Sequence, residues 1–151
     1  MVDFAGQYYR LSEARCEPKP LRKPHPPFVI GGSGEKLTLR VVAEYASIWN
    51  FAGGPVEEST RLSEVLDGHC AAVGRNPADI QRSIQVPVEA DHLDVTRDTL
   101  RGFISAGATH LILNLGSARV GPEAGDPYQA SIIRRLVDEV VGPLQQELGA
   151  G

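Results

Sequence analysis

The chain has 151 residues, 42% of them hydrophobic, and a formal net charge of −4. That length suits a single domain with a sizeable core, and its Lys and Arg are scattered, with only a loose cluster at Arg15, Lys19, Arg22 and Lys23, so no basic stripe invites nucleic acid. No apolar run approaches the ~20 residues that span a bilayer, and Met1-Val-Asp-Phe-Ala-Gly6 lacks a charged-then-apolar signal pattern, so a cytoplasmic protein with no membrane partner is expected.

Residues 1–27 stand apart as a lead-in or lid. Phe4, Tyr8, Tyr9 and Leu11 sit among polar residues, and Pro18, Pro20, Pro24, Pro26 and Pro27 follow in quick succession. Each proline fixes φ and removes an N–H, which predicts irregular or polyproline-like backbone. The main unit is expected over 28–144, with a flexible tail at 145–151.

The run from Phe28 to Leu39, Phe28-Val-Ile-Gly-Gly-Ser-Gly-Glu-Lys-Leu-Thr-Leu39, reads as a buried strand, a tight loop and a helix whose apolar residues Leu39, Val42, Ala43 and Ala46 recur at helical spacing. Gly31, Gly32 and Gly34 let backbone amides approach a ligand, and the helix N-terminus behind them offers unsatisfied N–H groups and a partial positive charge, an arrangement suited to phosphate. Any strand-to-helix turn also favours glycine for steric reasons, so the turn alone leaves both roles open. The nucleotide P-loop is excluded by register, because Lys36 lies between Glu35 and Leu37 where Gly and Ser or Thr are required.

Ala46-Ser-Ile-Trp-Asn-Phe51, bounded by Gly53-Gly54-Pro55, predicts a second buried strand, with Trp49 in the core and Asn50 needing a polar partner near the strand's end. Val56 to Val73 predicts a helix with Leu62, Val65, Leu66, His69 and Val73 on one face, ended by Gly74 and kept from resuming by Asn76-Pro77. His69 reads as a packed or half-exposed helix residue. Ile80 to Glu89 predicts a third strand, placed near an edge or bulge by Pro87. Thr96 to Ala106 predicts a helix with Leu100, Phe103 and Ile104 inward. Ala108 to Leu115 is the most strand-like run, apolar enough to be covered on both faces. After a loop over Gly116 to Gly125, Asp126 and Pro127 predict an N-cap and N1 pair for a last helix through Ile133, Leu136, Val137 and Val140, ended by Pro143.

Cys16 and Cys70 read as free thiols in a reducing compartment, a disulfide between them being the alternative. His25, His69, His92 and His110 show no ligand spacing with each other or with either cysteine, so no metal is expected. Four successive strand-then-helix units predict an α/β fold of parallel strands, with ligands gathering at the strands' carboxyl ends: Gly31 to Ser33, Asn50 to Ala52, Val88 and Glu89, and Asn114 to Gly116.

The combination Pro26-Pro-Phe-Val-Ile-Gly-Gly-Ser-Gly-Glu-Lys36, Leu39-Arg-Val-Val-Ala-Glu-Tyr-Ala-Ser-Ile-Trp-Asn50 and His69-Cys-x-x-x-Gly-Arg-Asn-Pro77, preceded by Phe4-x-Gly6-x-x-Tyr9 and Pro18-x-Pro20, resembles the luciferase-like monooxygenase superfamily, and within it the coenzyme F420-dependent oxidoreductases. The resemblance implies a partial (β/α)8 TIM barrel, strands five to eight of a fold that takes ~250 residues. Its two open edges call for another copy of the chain or for a complementary barrel half. It further implies F420, or alternatively FMN, as cofactor and hydride transfer to or from a small organic substrate. Gly31, Gly32 and Ser33 would hold the cofactor's phosphate with Ile30 packed nearby, Lys36 would add charge, and Asn50 and Phe51 would lie beside cofactor or substrate. No catalytic acid or base can be named within these units. A non-catalytic, self-associating half-barrel and a generic phosphate-binding α/β module are the alternative readings.

Overall fold

A computed structural model describes residues 1–115 and 130–149; the expected Gly116–Gly125 loop and the Asp126-Pro127 cap lie outside the described residues. The chain opens with an antiparallel hairpin, β1 (Val2–Ala5) and β2 (Arg10–Ala14), in which Phe4 faces Leu11 and the Gly6 N–H donates to Tyr9 O at 2.9 Å. This corrects the irregular backbone expected over 1–27. The prolines begin only at Pro18, so the residues before them keep their backbone donors, and Phe4 and Leu11 form a cross-strand pair.

The body is a four-stranded parallel sheet in chain order: β3 (Val29–Gly31), β4 (Ile48–Phe51), β5 (Gln81–Pro87) and β6 (His110–Asn114). Helices α1 (Thr38–Tyr45), α2 (Val56–Val73) and α3 (Leu93–Ser105) return the chain from each strand to the next. The strand period of two divides the sheet into unlike faces. Trp49, Phe51, Ile84 and Val86 point into a core completed by Leu39, Val42, Leu62, Leu66, Leu100 and Phe103. The opposite face carries Val29 and Gly31, Asn50, Ser83 and Gln85, and His110 and Ile112, aligned by the parallel register.

Edge position explains two departures from expectation. Val29 is 60% exposed although its strand reads as buried, because β3 has a neighbour on one side and helices over one face only. For the same reason β6 is not covered on both faces: burial alternates along it and Ile112 is 37% exposed. Pro87 lies not on an edge strand but at the last residue of the interior strand β5, where its missing N–H falls at the ladder's end. On α2 the inward residues are Ser59, Leu62, Leu66 and Cys70, and Val73 turns out to solvent. Gly74 caps this helix in the left-handed region, with φ of 70°.

The last helix also differs from expectation. α4 (Ala130–Leu136) runs through a π turn at Val137–Val141 into α5 (Gly142–Gly149), so Pro143 does not end it and residues 145–149 are helical. A proline in a regular helix loses its own N–H bond and crowds the carbonyl four residues back. Here Gly142 N–H reaches back to Val137 O in the wider π register, and the carbonyl of Glu139 accepts from Arg97 Nη1 of α3 at 3.4 Å.

Candidate functional site

The carboxyl end of β3 builds the site. Gly32 follows the strand with φ of 126°, a conformation that an L side chain rarely adopts, and a Cβ on Gly34 would lie 2.7 Å from Thr38 Oγ1. Both glycines are therefore required by the turn's own geometry. Trp49, fully buried on β4, donates its indole Nε1–H to Gly32 O at 2.8 Å and clamps the turn to the core.

The Gly32 N–H, expected to face a ligand, donates to Asn50 O at 3.2 Å. The N–H groups of Ser33 and Gly34 donate to nothing among the described residues, and the Ser33 hydroxyl likewise stays unbonded. α1 begins at Thr38 behind Leu37, with no side-chain cap and no acidic residue in its first turn; the Leu39 N–H of that turn is taken by Gly34 O at 3.0 Å. Lys36 is exposed within the turn and forms no ion pair among the described residues. The one anion in the turn, Glu35, is drawn aside by α2: its carboxylate accepts from Arg61 Nη1 at 3.0 Å, and its carbonyl accepts from His69 Nε2–H at 2.7 Å. This side-chain hydrogen bond and the Glu35 charge raise the Arg61 pKa above its ordinary value. The turn thus presents free donors and a lysine, with its carboxylate neutralised.

Next to the turn, one row crosses the open face of the sheet. Gly31, Asn50, Ser83 and His110 align across β3 to β6. The Ser83 hydroxyl donates to Asn50 Oδ1 at 3.1 Å. With its hydrogen so committed, it accepts from His110 Nδ1–H at 3.0 Å, and His110 stands at the exposed end of the row. Asn50 is 9% exposed, and its Nδ2 lies beside Gly31, 3.9 Å from where a Cβ there would sit.

The expected site residues therefore divide. Gly31, Gly32, Ser33, Lys36 and Asn50 gather at one strand end. Ile30 and Phe51 point to the other face, Ile30 half-buried against the core and Phe51 buried with its ring 6.2 Å from that of Trp49. Thr38 and Ser83 carry no signal in the sequence, and His110 enters there only as a histidine without metal-ligand spacing. A residue's partner across a sheet depends on register, which a single strand's pattern does not encode. Among the described residues no cluster of His, Cys, Asp and Glu could hold a metal ion, and no helix is long and apolar enough to cross a membrane.

The model of the luciferase-like monooxygenase family matches residues 1–139. Over 145 aligned residues the chain is 31% identical to an FMNH2-dependent dimethylsulfone monooxygenase of Pseudomonas putida, covering 89% of this chain and 38% of that one. Among solved structures, the fold matches a coenzyme F420-dependent tetrahydromethanopterin reductase of Methanopyrus kandleri with a TM-score of 0.66 at 11% identity, over 93% of this chain and 57% of that one. It also matches an F420-dependent secondary alcohol dehydrogenase in complex with an F420–acetone adduct, with a TM-score of 0.59 at 13% identity, over 74% of this chain and 49% of the other. The chain spans well under two thirds of the length of each of these proteins.

Proposed function

Because the chain belongs to the luciferase-like monooxygenase family, we propose that it forms the phosphate-holding part of a flavin- or deazaflavin-dependent oxidoreductase acting on a small organic substrate. The observation that carries this reading is the turn at Gly32–Lys36. Its free Ser33 and Gly34 N–H groups, the uncapped start of α1 and the unpaired Lys36 suit a phosphate, and Arg61 removes the carboxylate that would repel one.

A reduced flavin or deazaflavin, when bound, would supply the hydride or electrons that the reaction needs. The chain's own residues bind and position. The turn would hold the phosphate, Trp49 keeps the turn rigid, and Asn50, oriented by Ser83, offers its Nδ2 donor at the edge of the open sheet face. Sequence similarity over most of the chain favours FMN. F420 is the second reading, since the same anion site serves its phosphate.

Titrating the folded protein separately with FMN and F420, followed by cofactor fluorescence, tests both. Binding of one that is weakened at least about tenfold by Lys36→Glu, which places a carboxylate beside the anion, with the secondary structure unchanged by circular dichroism, is expected. Folded protein that binds neither cofactor would overturn the reading.

A further inference from the structure

The two rims of the parallel sheet carry complementary surfaces, and from them we propose that two copies of this chain close on one another about a twofold axis. β3 of each copy would pair in parallel with β6 of the other, completing an eight-stranded barrel.

At one rim β3 has β4 as its single neighbour among the described residues. Outside it, α1 turns a stripe at i, i+4 and i+8 to solvent: Leu37, Val41 and Tyr45 are 78%, 45% and 61% exposed, opposite the buried Leu39, Val42 and Ala43. At the other rim β6 has β5 as its single described neighbour. Beside it lies an almost wholly apolar cleft of about 200 Å³, lined by Ile104, Leu111, Leu113, Val141, Leu144 and Leu148. One rim thus bears an apolar ridge and the other an apolar groove, both on the helix-covered side.

Rotating one copy by half a turn about an axis along the strands keeps every strand direction. It sets β3 of one copy against β6 of the other, and α1 against α5, at two identical seams. Four strands from each copy make eight, the number at which a parallel barrel closes around a packed interior. Closure would also gather the turns and strand ends of both copies at one mouth, so the site described above is incomplete without the second copy. The inference rests on the sheet and its rims, not on the choice of cofactor, and each can fail while the other stands.

Sedimentation velocity of the purified 151-residue chain over the micromolar range provides the test. A dimer is expected. Val41→Glu or Leu148→Lys alone should weaken it at least about 30-fold, by leaving a charge buried without a partner, with the circular dichroism spectrum unchanged. A monomer at all concentrations, an assembly larger than a dimer, or a dimer indifferent to Val41→Glu would overturn the proposal.

Discussion

At the scale of single residues, the turn is held by Gly32 and Trp49. Gly32→Ala forces a side chain into a positive φ of 126° and should lower stability by about 1–3 kcal/mol in urea unfolding. Trp49→Phe keeps most of the buried ring but deletes the bond to Gly32 O, and should cost about 1 kcal/mol or more through the unsatisfied carbonyl. The two thiols differ as sharply. Burial raises the Cys70 pKa above its ordinary value, with a smaller rise from Asp67, whereas Cys16 is exposed. Iodoacetamide at mildly alkaline pH should therefore label Cys16 in the native protein and reach Cys70 only after denaturation, as read by peptide mass spectrometry. At this scale the sequence was informative about the glycines, because Gly31, Gly32 and Gly34 lie within four positions. It was silent on Ser83 and His110, whose meaning comes from standing beside Asn50 across two strand registers.

Among whole elements, the helices were the more legible. Helical spacing and Gly74 marked out Val56–Val73 to the residue. Gly74→Ala, at φ of 70°, should destabilise by about 1 kcal/mol in the same unfolding assay. Strand environment was harder to read, since an apolar run such as Phe28-Val-Ile30 looks alike whether central or at an edge. The last helix misled for a different reason: the rule that proline stops a helix is local, and the compensation is not. Arg97 of α3 reaches Glu139 O and the π turn absorbs the ring. Farther along, Arg101 of α3 holds Glu147 of α5 through paired bonds of 3.1 and 2.9 Å, which keep the Glu147 carboxyl below its ordinary pKa. Its contribution to stability is present above the pKa of the unfolded carboxyl and is lost as pH falls through the lower folded value. Glu147→Gln should accordingly lose less stability than the parent chain on acidification through that window, measured by thermal melts at stepped pH.

Across the whole molecule, the sheet leaves two edges without a neighbouring strand among the described residues, with Val29 and Ile112 exposed on the edge strands. The proposed pairing of two copies would complete their burial, and a folded state held together in this way gains stability by mass action. The midpoint of thermal unfolding should therefore rise with protein concentration, and a midpoint independent of concentration would argue for a self-sufficient monomer. The alternation of strand and helix made the parallel order readable in advance, but what lies against an edge belongs to no stretch of sequence.

The bond between Trp49 and the glycine turn has an optical corollary. The protein holds a single indole chromophore, fully shielded and tethered to the loop in which an anion is proposed to sit. Its emission should lie far to the blue in the native state and redden on denaturation. Any rearrangement of the loop will be written into the same spectrum, so no label needs to be attached to follow it.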